Sequence, residues 1–214
     1  MKYHAVLSSL DLSWTVIIQM CYPGAHLIVI SKFPHYRIMC NIEDAGWGIR
    51  DCLVWLGKDK FIILARKSFE GTAAENVLQY GCGALNIDGC KISSNGEGRW
   101  PANLIHDGSE EVLEIFPNSK SGKDIEEKGT GGIWHKSSGK PCGRQYGDNG
   151  SASRFFYCAK KERDLYEYLT KLLLTPNGKM LVTSQEIRSA ALKIGWDQVD
   201  LFGKDKNGIQ DFSR

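Results

Sequence analysis

The sequence predicts an α/β fold with a mixed sheet and a long loop-rich insertion. Two strand-helix-strand units have similar sequences. The string YPGAHLIVIS at 22–31 resembles TPNGKMLVTS at 175–184, and a Gly-Trp pair follows each string. Such alternation builds a sheet covered by helices. Residues 117–152 are rich in Gly, Ser and Lys, which predicts a loop. The repeat is short enough that independent convergence on a common α/β pattern remains the alternative.

The first unit contains three strand patterns and one helix pattern. An apolar run at 26–31 follows the turn signal Pro23-Gly24, and a helical pattern at 36–45 ends at Gly46, a residue suited to a left-handed cap. Two further apolar runs, at 49–56 and 61–65, flank a tight turn. We therefore expect these two runs to form an antiparallel hairpin.

The middle of the chain predicts two short helices. Thr72 and Glu75 form a capping-box pattern, and Gly81 would end that helix. Asp107 would cap a second helix, which stops at Pro117. The stretches ALNIDGCKI and RWPANLI between the two helices are expected to be extended.

The last unit begins with a strand at 154–159 and continues with a helix at 162–175. Leu165, Leu169 and Leu172 lie on one face of that helix. If the two units are related, the strands at 27–30 and 179–183 belong to the same sheet.

Composition excludes several classes of protein. The formal net charge of +2 gives no whole-molecule reason to expect a polyanionic partner. The seven cysteines include no Cys-x-x-Cys pair, so metal binding is not expected. Their odd number and the lack of a signal-peptide pattern indicate reduced thiols in a cytoplasm. No apolar run is long enough to cross a membrane.

Four long strings of the sequence are informative together: PGAHLIVISKFPHYRIMCNIEDAGWGIRDCLVWL (23–56), ARKSFEGTAAENVLQYGCGALNIDGCKI (65–92), GRWPANLIHDGSEEVLEIFPNSKSGK (98–123) and GSASRFFYCAK (150–160). In these strings the sequence resembles bacteriophage and other prokaryotic DNA amino-methyltransferases, which use S-adenosylmethionine to methylate adenine N6 or cytosine N4.

The resemblance implies a Rossmann-like methyltransferase fold, with a mixed sheet and an inserted recognition region. Residues 1–65 and 154–214 would form the core. Residues 66–153 would form the target-recognition region, with its basic loop at 117–152. The expected location is the cytoplasm of a bacterial host, with a phage or prophage origin and a link to restriction-modification.

The motifs that such an enzyme needs are missing. The family activates the exocyclic amine with Asp-Pro-Pro-Tyr before the position of Pro23, but no two of the six prolines are adjacent. The cofactor turn Phe-x-Gly-x-Gly is replaced by MLVTSQEIRSAA at 180–191, without a glycine, and the His-Pro-Thr-x-Lys-Pro segment is absent. The string Phe33-Pro34-His35-Tyr36 is a weak candidate for the catalytic motif, because it has no acid or amide. We therefore expect no catalytic residues, no cofactor-binding residues and no bound S-adenosylmethionine.

A local positive excess identifies a candidate DNA interface. Residues 118–163 contain ten Lys or Arg and five acidic residues. Cations of this kind neutralise phosphates, and interleaved aromatic rings stack on bases. The candidate nucleic-acid contacts are Arg99, Trp100, Lys120, Lys123, His135, Lys136, Lys140, Arg144 and Tyr146. The alternative for this segment is a solvated basic loop without a partner.

Three functions fit these observations. The first is a degenerate methyltransferase, a pseudoenzyme, that binds DNA without modifying it. The second is an active subunit or fragment that another chain completes. The third is a protein-binding inhibitor or mimic that acts on a host methyltransferase or restriction complex, with Trp14, Trp100 or Trp134 as exposed anchors. Whether the chain is an enzyme therefore stays open, as does its oligomeric state.

Overall fold

A computed structural model describes residues 2–9, 12–92, 98–100, 102–120 and 149–202. Helices and strands alternate along most of this length. The strands are β1 (Tyr3–Ser8), β2 (Cys21–Lys32), β3 (Trp47–Leu56), β4 (Lys60–Lys67), β5 (Leu104–His106), β6 (Asn118–Lys120), β7 (Asn149–Ser151), β8 (Tyr157–Cys158), β9 (Lys179–Val182) and β10 (Gln198–Leu201). The helices are α1 (Trp14–Gln19), α2 (His35–Asp44), α3 (Ala73–Tyr80), α4 (Glu110–Glu114), α5 (Glu162–Leu172) and α6 (Gln185–Ile194).

The main sheet has eight strands in the order β10-β9-β1-β2-β4-β3-β5-β8. All neighbouring pairs are parallel except those of β4, which runs antiparallel to both β2 and β3. The sheet is therefore mixed, and the predicted α/β class is confirmed. The strands at 27–30 and 179–183 do lie in one sheet, where β2 and β9 flank β1 on opposite sides.

Helices cover both faces of the sheet, and each covered face carries its own core. On one face, the apolar side chains of α5 and α6, such as Leu169 and Ile187, pack with Ile28 and Ile62. The other face packs against α1 and α2. Because β4 is buried on both faces, its run FIILA is continuously apolar instead of alternating.

Buried indole groups connect the helices and loops to this sheet. Each donates its ring N–H to a backbone carbonyl, so its polar atom is satisfied inside the core. The three pairs are Trp47 with Trp14 at 3.3 Å, Trp55 with Ala159 at 3.2 Å and Trp196 with Thr170 at 3.0 Å. Trp14 is only 3% exposed, so its predicted role as an exposed protein anchor is wrong.

Several local predictions are confirmed. β3 and β4 form the expected antiparallel hairpin, and its turn uses positive φ angles at Gly57 and Asp59. In α3, Thr72 and Glu75 make both bonds of the capping box, and Gly81 ends the helix in the left-handed conformation. Gly46 also has a positive φ directly after α2.

Other local predictions are wrong for identifiable reasons. The N-cap of α4 is Ser109, because the Asp107 carboxylate instead accepts hydrogen bonds from the Ser109 N–H and hydroxyl in a preceding turn. The expected strand at 154–159 is shorter than predicted, because its first two residues belong to the 3-10 turn Ala152–Phe155 and only Tyr157–Cys158 form β8. The segment ALNIDGCKI, at 84–92, was expected to be extended but contains a 3-10 turn at Asp88–Cys90.

Neither a membrane-spanning helix nor a cluster of metal-ligating side chains is present in the described residues. Within the described residues, no helix combines the length and apolar character that a bilayer crossing requires. In the same part of the chain, no cluster of three or more His, Cys, Asp or Glu side chains could hold a metal ion.

Burial of His26 makes stability depend on pH. His26 is 5% exposed, and burial, with Arg66 and Arg50 nearby, lowers its pKa to about 4. The ordinary histidine value is near 6.5, so the unfolded chain binds more protons than the folded chain between those two values. We expect acidification from pH 7 to pH 4 to remove about 3 kcal/mol of stability through this one residue.

The measurement is urea unfolding of wild-type protein and His26→Gln across this pH range. Because glutamine does not titrate, the variant should lose less stability on acidification than wild type, whatever its stability at pH 7. Parallel pH curves for the two proteins would show that His26 is not the cause.

Candidate functional site

The candidate site is the crevice at the carboxyl ends of β1 and β9. From β1 the chain passes through α1 to β2 on one side, whereas from β9 it passes through α6 to β10 on the other side. The direction of winding therefore reverses between these two strands. In open α/β sheets, ligands bind outside the carboxyl ends of the strands at such a switch point.

The β9 side of the crevice is a short turn without glycine. Only Thr183 and Ser184 separate β9 from α6, and both hydroxyl groups bind the chain itself. The Ser184 hydroxyl accepts a hydrogen bond from the Ile187 N–H at 3.2 Å and so caps α6. The Thr183 hydroxyl accepts one from the Ser9 N–H at 3.0 Å, directly across the crevice.

These residues do not fit S-adenosylmethionine. A cofactor that lies against the backbone at this turn needs positions without a side chain, and residues 180–191 contain no glycine. The hydrogen bond between Ser9 and Thr183 also joins the two sides of the crevice. The observed geometry thus agrees with the absence of a glycine turn in the sequence.

The β1 side contains a spacing that the search for adjacent prolines missed. Asp11-Leu12-Ser13-Trp14 has an acid and an aromatic residue three positions apart, as in Asp-Pro-Pro-Tyr, with both prolines replaced. Asp11 lies outside the described residues. The ring of Trp14 packs in the core, and its carbonyl accepts the indole N–H of Trp47, so this ring is not presented to a base. A search for the spacing alone would have found the string.

The string Phe33-Pro34-His35-Tyr36 follows β2, one strand away from β1. Phe33 is 73% exposed and Tyr36 is 49% exposed. The His35 ring stacks on Phe61, with 3.7 Å between their centroids, and the Phe33 ring meets His35 and Tyr36 edge-on. We call Phe33, His35, Tyr36 and Phe61 the aromatic cap.

Charged groups surround this edge of the sheet. Lys60, at the start of β4, donates a short hydrogen bond to Glu162, which lowers the pKa of that carboxyl. Asp107 has a pKa lowered to about 2, mainly by the hydrogen bonds from Ser109 and also by Lys58, whose ammonium lies 3.2 Å away. Asp107 is therefore held as a carboxylate by these groups.

His106 precedes Asp107 but does not form an acid-base pair with it. His106 is 5% exposed, and burial lowers its pKa. Its Nδ1 has no hydrogen-bond partner within the described part of the chain, and the Asp107 carboxylate is occupied by Ser109 and Lys58.

Three of the nine predicted nucleic-acid contacts lie in the described residues. The Arg99 guanidinium lies over the ring of Phe155, 4.2 Å from its centroid. Trp100 is 49% exposed, and Lys120 is an exposed residue at the end of β6. The other six, Lys123, His135, Lys136, Lys140, Arg144 and Tyr146, lie outside the described residues. As DNA contacts, all nine stay predictions.

Arg154 lies in the basic segment, residues 118–163, and has a role that the sequence did not predict. β6 and β7 pair so that Lys120 lies opposite Asn149. The Arg154 guanidinium donates to the carbonyls of Ser119, Gly150 and Ser151, at 2.5 to 3.1 Å. An arginine in a Gly/Ser-rich context gives no signal in the sequence for such a fork.

Comparison with known proteins supports the fold. No family model and no curated protein matches the sequence. The M1.HpyAVI–SAM complex aligns over 96% of this chain and 84% of that chain, with a TM-score of 0.50 and 9% identity. M1.HpyAVI in a second structure aligns over 96% and 83%, with a TM-score of 0.50 and 10% identity. The chain therefore has a Rossmann-like methyltransferase fold, as the sequence predicted.

The cap of α6 provides a test of the local geometry. Ser184→Ala removes the hydroxyl that binds the Ile187 N–H, so we expect a loss of about 1 kcal/mol in the free energy of unfolding. Ser189→Ala, an exposed change within the same helix, is the matched control and should have little effect. Urea unfolding measures both variants, and equal losses would contradict the cap.

Proposed function

We propose that this chain is a DNA methyltransferase-like protein that binds DNA and transfers no methyl group. The observation that carries the proposal is the turn between β9 and α6. There, Thr183 and Ser184 use their hydroxyl groups on the chain's own backbone at the place where this fold binds ligands.

The absence of methyl transfer follows from two independent features. The cofactor would lack a glycine turn against which to lie. The target amine would lack the Asp-Pro-Pro-Tyr oxygens and a free ring, since Trp14 is buried. Either feature alone would remove the reaction, because the amine lone pair is delocalised and needs both activation and a methyl donor held in line.

DNA binding rests on the basic segment. Residues 118–163 carry ten cationic and five acidic side chains, and the Arg154 fork holds the base of residues 121–148. Phosphate contacts from such a segment give affinity without sequence information and depend strongly on salt. We assign residues 66–153 as the recognition region, and the expected setting is a bacterial cell with a phage or prophage gene.

The first test is methyl transfer. Purified protein with labelled S-adenosylmethionine and unmethylated DNA should give incorporation equal to a no-enzyme control, while an active DNA methyltransferase in the same buffer gives a clear signal. Incorporation well above the blank would overturn the proposed inactivity.

The second test is salt-dependent binding to duplex DNA. Replacing Lys136, Lys140 and Arg144 by Ala should weaken binding, because each lost phosphate contact removes nearly one released counterion. The slope of log affinity against log salt should become shallower by up to about three units.

A matched control changes the same number of charges outside residues 118–163, at Arg50, Lys171 and Lys193, which are all exposed. Replacing these three by Ala should leave the salt slope close to that of wild type. If wild-type protein does not bind duplex DNA at low salt, or if the control triple has the same effect, the proposed DNA contact is wrong.

A further inference from the structure

We propose that the aromatic cap, with Lys32 and Arg37 beside it, binds unpaired nucleotides of single-stranded DNA by base stacking. The proposal deepens the proposed function, on which it rests, by naming a second contact surface and the kind of DNA that it recognises. This surface lies at the carboxyl edge of the sheet and is separate from the basic segment.

The exposure of the cap is the first observation. Phe33, directly after β2, presents 73% of its surface, and Tyr36, in the first turn of α2, presents 49%. Rings in this state leave a large apolar area in water, and on a protein surface such an area marks an interaction site. The His35 ring stacks on Phe61 of β4, with 3.7 Å between the ring centroids. This contact fixes the aromatic cap to the sheet.

The charges around the cap indicate the partner. The string Lys32-Phe33-Pro34-His35-Tyr36-Arg37 has a cation at each end and three aromatic rings between them. Arg37 makes no ion pair with any described residue, and its guanidinium lies 6.0 Å from the Tyr36 ring. Glu162, an acid from α5 next to this edge, is bound by Lys60 and Tyr166. Rings for stacking beside cations for phosphate are the combination that holds single strands.

A cavity next to the aromatic cap is lined by polar groups that could bind the polar edge or the phosphate of a nucleotide. It has a volume of about 330 Å³ and is lined by Ser9, Ser31, Lys32, Lys60 and Tyr166, among others. Ser31 is 9% exposed, and its hydroxyl has no hydrogen-bond partner among the described residues. Buried polar atoms without a partner are rare in proteins, so this hydroxyl is free to bind a group from outside the chain, such as a water, an ion or a ligand. The cavity has the size of a small-molecule site.

Duplex DNA does not fit this surface as well as a single strand does. Bases in a duplex are stacked on each other, so their faces are covered and a protein ring reaches them only after they are unstacked. An unpaired base has both faces free, and stacking is tolerant of sequence because every base has a π-face. The cap therefore predicts a preference for strands whose bases are accessible.

The experiment compares two labelled oligonucleotides of equal length by fluorescence anisotropy at low salt: oligo-dT and a strand of abasic sites with the same phosphates. Wild-type protein should bind oligo-dT more tightly. Phe33→Ala combined with Tyr36→Ala should weaken oligo-dT binding by about 10- to 100-fold and leave abasic binding nearly unchanged. Arg37→Gln should weaken both strands alike, because it removes a phosphate contact.

Two controls exclude other effects. Leu78→Ala removes an apolar side chain that is 88% exposed on α3, which packs near the amino end of β2, and should change neither affinity. Phe33→Trp retains a stacking ring and should retain the preference for oligo-dT. Both alanine changes are at exposed positions, and unchanged circular dichroism would verify that the variants are folded.

The outcomes separate this inference from the proposed function. Equal affinity of wild type for the two strands, or equal losses for the cap variant and Leu78→Ala, overturns the role of the cap. If a change of mass by sedimentation is the only effect of the cap variant, the partner is a second copy and the inference is overturned. Duplex binding through the basic segment is measured separately, so it can fail while oligo-dT binding by the cap persists, or the reverse.

Discussion

The pairing of β1 with both β2 and β9 holds the two ends of the chain in one sheet. Ala5 lies opposite His26 on one side and Met180 on the other. Through these pairs, residues far apart in sequence meet at the same edge, where Ser9 contacts Thr183 across the crevice. All other features of the site depend on this arrangement, since the cap follows β2, the turn follows β9, and the strand between them leads to Asp11-Leu12-Ser13-Trp14.

Along this edge of the sheet, some side chains are used in contacts within the fold, and others are exposed to solvent. After β9, the Ser184 hydroxyl caps α6, and after β1, the Trp14 ring packs in the core, where its carbonyl accepts the indole N–H of Trp47. At β2, by contrast, Phe33 and Tyr36 stay exposed beside cations. A fold imposes a position for a ligand but not its chemistry, which depends on the side chains at that position. This contrast is the basis of the proposed role, in which the chain binds DNA without methyl transfer.

Sequence patterns predicted the elements whose signals are local. The hairpin of β3 and β4 and the capping box at Thr72 follow from apolar runs and turn residues. The placement of both repeat strands in one sheet follows from the similarity of the two units. Asp107 was assigned the wrong role because a carboxylate two residues before an N-cap serine has the same local pattern as a cap. The burial of Trp14 and the Arg154 fork depend on contacts across the fold, for which the sequence has no local signal.

The most direct test of this account is thermal unfolding of the protein with S-adenosylmethionine. A ligand that binds only the folded state, at a concentration about 100 times its dissociation constant, adds about 2.7 kcal/mol to the free energy of unfolding. For a chain of this size, that raises Tm by several degrees. The account predicts no change in Tm at millimolar S-adenosylmethionine, with or without DNA. A saturable increase of several degrees would contradict it, because the crevice between β1 and β9 would then accept the cofactor.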